Sequence, residues 1–190
     1  MGSEMCIRDR KGLKSIAVHP EVQSALVSIN PTNGEILALV GGYNFKNSQF
    51  NRAFQAKPQL GSNFKPFLYA AAFENGFNPA SIIIDSPLVF EDENLEEIWR
   101  PRNASGKFYG PTRLREALVQ SRNIVSIKLL QEVSIKSTKN SLEKYGFFKE
   151  ELPNDLSLAL GSYGASPLKN AEMFSIFCLL YTSPSPRDIS

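Results

Sequence analysis

A serine and a lysine three positions apart carry the clearest chemical signal in this chain. Ser62 and Lys65 lie in the run Gly-Ser-Asn-Phe-Lys-Pro-Phe, where a helix is predicted to begin. Residues three apart share one face of a helix, so the lysine amine can approach the serine hydroxyl. A serine hydroxyl needs a base to become a nucleophile, and a lysine can be that base if burial keeps its amine neutral. Most serines with this spacing to a lysine are nevertheless ordinary surface residues.

The triplet Ser121-Arg122-Asn123, further along the chain, supplies a second hydroxyl and an amide. The hydroxyl of Ser121 could relay a proton, and the side chain of Asn123 could hold both the lysine and a substrate amide. Serine and asparagine are also common caps where two helices meet, and this structural interpretation stands beside the catalytic one. Together the two motifs point to a serine enzyme that forms an acyl intermediate without histidine. The single histidine, His19, is interpreted as a solvated loop residue.

Helices dominate the part of the chain that carries these motifs. The first has an apolar face marked by spacings of three and four from Phe64 to Ala72. A serine followed by proline, as at Ser166, is a strong helix start, since the serine caps the helix and proline suits its first position. The predicted helices run over 62–74, from a cap at Thr112 to about 120, over 123–133, over 137–145, and from Ser166 to about 177.

Two predicted strands precede these helices, over residues 24–29 and 35–42. An Asn-Gly pair between them suits a tight hairpin turn. Residues 82–84 are predicted to form a short buried segment. A hairpin followed by a mostly helical half is an α+β arrangement. Because an isolated hairpin is marginal in water, partner strands are expected, and no later segment supplies them.

The composition is that of an ordinary globular domain. The 190 residues are 42% hydrophobic and 21% charged, with a net charge of +2, so nothing indicates a nucleic-acid partner. The sequence shows no metal-ligand cluster, and no cofactor is expected. The ends, 1–10 and 178–190, resemble translated sequencing-adapter sequence, although serine- and proline-rich termini are common. The domain is therefore predicted to occupy 11–177, between two non-native ends.

Three segments resemble one known family, the transpeptidase domain of class A, bifunctional penicillin-binding proteins. They are residues 52–69, 110–124 and 158–168, and scattered matches extend over nearly all of 22–177. The resemblance implies the fold shared with serine β-lactamases, an antiparallel sheet flanked by helices. This chain would hold only the N-terminal hairpin and the helical part of that fold. Ser-x-x-Lys, and Ser-Arg-Asn in place of Ser-Asp-Asn, resemble the first two motifs of this superfamily.

The resemblance also implies a role for each motif residue. Ser62 would be the acylated nucleophile and Lys65 its general base. Ser121 would shuttle the proton, and Asn123 would bind the substrate peptide. The family reaction cleaves the terminal D-Ala-D-Ala bond of a peptidoglycan stem peptide, and an amine of a neighbouring strand then forms the cross-link. β-Lactam antibiotics mimic the dipeptide and trap the serine.

The same resemblance implies a location and further domains for the parent protein. Such enzymes act on the outer face of the bacterial cytoplasmic membrane, tethered by an N-terminal helix that precedes a glycosyltransferase domain. The third motif of the family, Lys-Thr-Gly or Lys-Ser-Gly, does not occur in this sequence. In the family it binds the substrate carboxylate and supplies an oxyanion N–H, whose loss costs on the order of 3 kcal/mol of barrier. The chain is therefore expected to stop before this motif and to be inactive alone.

Two alternative functions stay open at this point. A serine β-lactamase-type hydrolase needs a group that activates water, and Glu150 with Asn154 has the spacing of the class A glutamate–asparagine pair. That pair comes soon after Ser121, however. A non-catalytic β-lactam sensor or pseudoenzyme would be acylated without turning over peptide.

Trp99, with nearby arginines, could line a peptide groove, but a core or loop anchor is the simpler interpretation.

Overall fold

The computed structural model describes residues 4–8, 14–18, 22–46, 48–88 and 99–178. The strands are β1 (Glu4–Arg8), β2 (Lys14–Val18), β3 (Leu26–Ile29), β4 (Ile36–Val40), β5 (Ile82–Asp85) and β6 (Gly110–Arg113). The α-helices are α1 (Lys65–Glu74), α2 (Leu114–Val119), α3 (Asn123–Val133), α4 (Ile135–Leu142) and α5 (Pro167–Ser175). Short 3-10 helices cover Gly61–Phe64, Glu143–Tyr145 and Leu156–Leu160. The α+β class is therefore confirmed.

The predicted hairpin is present and consists of β3 and β4. The strands pair antiparallel, with Leu26 opposite Val40 and an irregularity in register between Ser28 and Ile29. Gly34, in the turn, has a φ of +74°, a conformation that glycine adopts without steric penalty. Neither strand contains a buried residue. β3 contacts the rest of the protein through α5.

The segment before α2 is a strand rather than the start of a helix. β6 pairs antiparallel with β5 and places Thr112 opposite Ile83. Thr112 is buried, and its hydroxyl donates to the carbonyl oxygen of Gly110 at 2.9 Å. The prediction that Thr112 caps a helix was wrong, since α2 begins at Leu114. Pairing with β5, which is distant in sequence, gives this segment an extended backbone. No local sequence pattern reveals that pairing.

Other elements differ only in detail from their predictions. The predicted buried segment is β5, where alternation buries Ile83 but exposes the isoleucine on either side. Helix α4 begins at Ile135 rather than Ser137, because the Ser134 hydroxyl accepts a hydrogen bond from the Ser137 N–H and caps the helix. Helix α5 starts as predicted, with the Ser166 hydroxyl accepting from a backbone N–H one turn later.

Helix α1 follows a 3-10 turn, so that the predicted helix over 62–74 is confirmed with a tighter first turn. The N–H of Lys65 donates to the carbonyl oxygen of Ser62, the bond pattern of a 3-10 helix. Pro66 lacks an N–H, which suits it to the first turn of α1. The predicted apolar face is fully buried: Phe64, Phe67, Leu68, Ala71 and Ala72.

The core of the helical part, the region of the chain from α1 to α5, is centred on Phe67. Its ring centroid lies 5.0 Å from that of Phe147 and 4.9 Å from that of Phe174, both nearly edge to face. Helix α3 packs on α1, and its predicted inward residues are fully buried: Ile124, Ile127 and Leu130. Trp99 is partly buried against this core, in agreement with its interpretation as an anchor.

The N-terminal strands β1 and β2 pair antiparallel, from Glu4 with Val18 to Arg8 with Lys14. No strand was predicted over 4–8, because residues 1–10 were interpreted as non-native, and the strand over 14–18, inside the predicted domain, was missed. The domain limits of 11–177 stay predictions, and His19 lies outside the described residues. Within the described part of the chain, no helix is long and apolar enough to cross a membrane.

Candidate active site

Ser62 and Lys65 face the same way because the turn between them is a 3-10 helix. Each turn of such a helix holds three residues, so side chains three apart eclipse one another. Ser62 is exposed, whereas Lys65 is only 1% exposed. The turn therefore joins an open hydroxyl to a buried amine.

The amine of Lys65 lies at the centre of a hydrogen-bond cluster. Its Nζ donates to the Ser121 Oγ at 2.9 Å, to the Ser121 main-chain oxygen at 2.7 Å and to the Asn123 Oδ1 at 2.7 Å. The Ser121 hydroxyl in turn donates to the Oγ of Ser62 at 3.1 Å. The structure thus brings together all four residues singled out in the sequence. It connects the lysine to the exposed serine through Ser121.

Burial lowers the pKa of Lys65 to about 8, because the ammonium group loses its water. The three oxygens that accept from this amine are uncharged, so none of them offsets that cost as a carboxylate would. With this pKa, roughly a tenth of the amine is neutral at about pH 7. The amine can therefore take up a proton near physiological pH.

Ser121 adopts a backbone conformation that glycine usually occupies, with a φ of +52°. The N–H of Ser121 donates to the Leu118 oxygen, and the N–H of Arg122 donates to the Ala117 oxygen. This bond pattern ends many helices with a left-handed residue, most often glycine. Keeping a serine there costs about 1–2 kcal/mol. Strain of this kind clusters at functional sites, and here it holds a hydroxyl beside the buried amine.

The backbone just before Ser62 is held by a segment that follows the 3-10 helix Leu156–Leu160. The N–H of Gly61 donates to the carbonyl oxygen of Gly161 at 3.0 Å. A Cβ atom on Gly161 would lie 2.0 Å from the Gly61 oxygen, so only glycine permits this approach. The segment 158–168, which the sequence singled out by resemblance alone, therefore supports the position of the exposed serine.

Two residues outside the predicted motifs hold the second triplet. The carbonyl oxygen of Arg102 accepts from the Asn123 Nδ2 at 2.9 Å. The Oδ1 of Asn103 accepts from the N–H of Ile124 at 3.2 Å, and its Nδ2 donates to Asp85. The sequence predicted a loop over this region, with Arg102 weighed only as a possible lining of a peptide groove and no role for Asn103. No local periodicity or motif marks them, because their partners lie far away in the chain.

Neither a water-activating pair nor a metal site accompanies the cluster among the described residues. Asn154 accepts from the Nζ of Lys139 at 2.7 Å, and Glu150 is exposed. No described hydrogen bond joins either member of that pair to the cluster around Lys65. The described residues also contain no group of three His, Cys, Asp or Glu side chains that could hold a metal ion.

Comparison with known proteins gives the relationship of the chain. The family profile "Penicillin binding protein transpeptidase domain" matches residues 24–177. The chain is 48% identical over 170 residues to penicillin-binding protein 1A of Pseudomonas aeruginosa, covering 90% of this chain and 21% of the relative. It is 40% identical over 175 residues to penicillin-binding protein 1A of Escherichia coli K12, covering 92% of this chain and 21% of that relative.

Solved structures agree with this relationship. The crystal structure of penicillin-binding protein 1A from Haemophilus influenzae matches with a TM-score of 0.82 and 38% identity, covering 90% of this chain and 26% of that one. PonA1 from Mycobacterium tuberculosis, solved in complex with penicillin V, matches with a TM-score of 0.68 and 26% identity, covering 82% and 44%. The fold is therefore that of the penicillin-binding proteins. The chain belongs to the family of penicillin-binding protein transpeptidase domains, and it spans about a fifth of the length of the curated relatives.

Proposed function

We propose that the protein containing this chain is a peptidoglycan D,D-transpeptidase that works through an acyl-enzyme on Ser62. Its donor substrate would be a stem peptide ending in D-Ala-D-Ala, and its acceptor an amine of a neighbouring strand. β-Lactams would acylate the same oxygen, and the related PonA1 was solved with penicillin V. The observation that carries the proposal is the hydrogen-bonded path from the buried Lys65 amine through Ser121 to Ser62.

This path supports acyl transfer because it can move a proton in either direction. With Lys65 neutral, the Ser121 hydroxyl can rotate to donate to Nζ while it accepts from Ser62. The Ser62 proton then moves to Ser121 as the Ser121 proton moves to Lys65, and the Ser62 Oγ attacks the substrate carbonyl carbon. The C–N bond of the tetrahedral intermediate breaks, and the departing amine takes a proton back by the same route.

Asn123 would orient both the lysine and the substrate. Its Oδ1 accepts from Lys65, and its Nδ2 donates to the Arg102 oxygen. The amide nitrogen carries two hydrogens, so one is left to donate to a carbonyl of the bound peptide. The residue therefore suits a substrate-binding role beside the reacting groups.

The chain by itself would not complete the reaction. It contains no Lys-Thr-Gly or Lys-Ser-Gly segment to bind the terminal carboxylate and to supply an oxyanion N–H. By its family, the whole protein would act on the outer face of the bacterial cytoplasmic membrane, with an anchoring helix and a glycosyltransferase domain ahead of the part given by this chain. Its partners would be peptidoglycan stem peptides.

The test is the intact mass of the whole protein after incubation with benzylpenicillin. We expect one stable adduct, located by peptide mapping at Ser62 and lost in Ser62→Ala. The matched control is Ser105→Ala, which removes another exposed serine and should keep the adduct. A wild-type protein that forms no adduct would contradict the proposal.

The two alternative functions give different results in the same experiment. Rapid loss of the adduct, with hydrolysed benzylpenicillin accumulating, would favour a β-lactamase-type hydrolase. A stable adduct without cross-linking of stem peptides by the whole protein would favour a sensor. The exposed Glu150 and the engagement of Asn154 by Lys139 argue against the hydrolase.

A further inference from the structure

Asn103 is the centre of a second buried hydrogen-bond network, next to the cluster around Lys65. It is 4% exposed, although it lies in a loop between β5 and β6. Its Nδ2 lies 2.9 Å from each carboxylate oxygen of Asp85 and 2.9 Å from the Lys107 oxygen. Its Oδ1 accepts from the N–H of Ile124 at 3.2 Å. One side chain therefore joins the end of β5, its own loop and the first turn of α3.

Asp85 determines which way the Asn103 amide points. The carboxylate is 1% exposed and can only accept hydrogen bonds, so it selects the Nδ2 end of the amide. The oxygen end is then directed to the N-terminus of α3, where backbone N–H groups lack partners within the helix. The residue in the cap position of α3, Arg122, makes no side-chain cap bond of its own. Asn103 thus caps this helix from a distant loop.

The loop also determines which way the Asn123 amide points. Arg102, directly before Asn103, offers its carbonyl oxygen to the Asn123 Nδ2 at 2.9 Å. The two ends of an amide have nearly the same shape, so hydrogen-bond partners decide their orientation. A carbonyl at one end requires Nδ2 there and leaves Oδ1 to accept from Lys65. The reverse orientation would place two acceptors together at the carbonyl and two donors together at the lysine amine.

We infer that Asn103, held by Asp85, is a positioning residue that keeps the Asn123 amide directed at the amine of Lys65. It places the Arg102 carbonyl against α3 and thereby orients a group that contacts the reacting lysine. This role rests on the proposed function, because it matters only if Lys65 serves Ser62. The network differs from the family motifs, since Asp85 and Asn103 lie outside both of them.

A double-mutant cycle between Asn103 and Asn123 tests the inference. The measured quantity is the rate constant for acylation of Ser62 by benzylpenicillin in the whole protein, with a thermal melt of each variant. We expect Asn103→Ala to slow acylation at least about tenfold. A small misplacement of a reacting group can cost about 100-fold, which is the upper end of the expected effect. In an Asn123→Ala background, the same Asn103→Ala change should alter the rate less than about twofold, because coupled residues are not additive.

Two controls separate positioning from simple loss of stability. Asn103→Ala leaves the buried Asp85 carboxylate without the amide that binds it, which can prevent folding. If that single variant does not fold, the double variant Asp85→Ala with Asn103→Ala replaces it, because it removes both side chains. Thr112→Val deletes a hydrogen bond of the buried Thr112 in the neighbouring strand without touching the network, and it should leave the acylation rate unchanged. Asn103→Ala should lower the melting temperature by the same amount whether position 123 is Asn or Ala.

The outcomes distinguish the inference from the proposed function. Slowing by the same factor with and without Asn123 would mean that Asn103 acts only through general stability, and the inference would be wrong. An acylation rate of Asn103→Ala within about twofold of the wild type would also overturn it. A wild-type protein that is never acylated would overturn the proposed function first, and the positioning role with it.

Discussion

The β3–β4 hairpin and the helical part around α1 bury their apolar residues very differently. In the hairpin, Leu37 is 65% exposed and no residue of either strand is buried. In α1, Phe67, Leu68, Ala71 and Ala72 are fully buried. All four candidate site residues lie in the helical part or in the turn before it. Within the described residues, the site is therefore held by the helices and by the loops that pack on them, and not by the hairpin.

The difference shows that two parts of one domain depend on different contacts. β3 contacts the helical part through α5, while the other faces of the hairpin carry exposed apolar side chains. Two-stranded sheets are marginal in water, and the family resemblance implies further strands beside this pair. Substitutions can therefore separate the part that forms the site from the part that suits a larger sheet.

The largest contrast is expected from the same substitution made in each part. Phe67→Ala should lower the free energy of unfolding by about 3–5 kcal/mol, because it removes a buried ring that packs against several others. Phe45→Ala, at a residue that is 72% exposed beyond the hairpin, should change it by less than about 0.5 kcal/mol. Urea denaturation of both variants measures the difference. Equal losses would contradict the comparison.

Two glycines with almost the same φ provide the next test. A methyl group added to Gly34, at +74°, would meet no atom within 4 Å, whereas one added to Gly161, at +75°, would meet the Gly61 oxygen. Gly34→Ala should cost about 1–2 kcal/mol from backbone strain alone. Gly161→Ala should cost about 1–3 kcal/mol more because of the clash, as urea denaturation would measure. It should also slow acylation of Ser62, whereas Gly34→Ala should not.

A smaller effect on the acylation rate is expected from a change of pH, and it should depend on a residue of the helical part, Lys65. Only the neutral amine of Lys65 can take a proton, and its pKa is about 8. The rate of acylation should therefore fall about tenfold for each pH unit below 8 and level off above it. Lys46→Gln, in the segment that follows the hairpin, should leave this profile unchanged. A flat rate between about pH 6 and 8 would exclude Lys65 as the base.

The lowered pKa of Lys65 also determines how the free energy of unfolding should change with pH. The folded-state pKa of Lys65 lies below its ordinary value of 10.5, so the unfolded chain binds more protons between about pH 8 and 10.5. The contribution of Lys65 to the free energy of unfolding should therefore rise with pH over that window. Below pH 8, where both states hold the proton, that contribution should be constant at its lower value. Comparison of wild-type protein with Lys65→Met in urea isolates it.

The smallest effect on stability is expected at the surface of the hairpin. Leu37→Lys should change the free energy of unfolding by less than about 0.5 kcal/mol, because the side chain is mostly exposed. It should nevertheless reduce self-association, since charge on an exposed strand opposes edge pairing and aggregation. Light scattering at increasing protein concentration measures this effect. A large loss of stability would show that Leu37 packs against other residues of the whole protein.

The helices could be predicted because their signals are local. Apolar spacing marks α1, and a serine followed by proline marks the start of α5. β6 could not be predicted in this way, since Thr112 is extended by a partner strand that lies far away in the chain. The limit is physical: a strand of four residues acquires its conformation from its neighbour more than from its own sequence.

The candidate site divides in the same way. The four candidate residues belong to short motifs, so Ser62 and Lys65 could be proposed from their spacing, and Ser121 with Asn123 from the second triplet. Their supports were not, because Asn103 and Gly161 act through contacts that no spacing rule describes. Gly161 lay inside a segment noted for resemblance, but its function depends on the backbone that approaches it.

The bond between Gly61 and Gly161 also sets an order of events during synthesis. When a ribosome has just made the turn that contains Ser62, it must still add about a hundred residues before Gly161 exists. Contacts so distant in sequence close late in folding, after local helices have formed. The acceptors of the Lys65 amine, at positions 121 and 123, are also made well after the lysine itself. The exposed serine is therefore made about a hundred residues before the glycine that supports it.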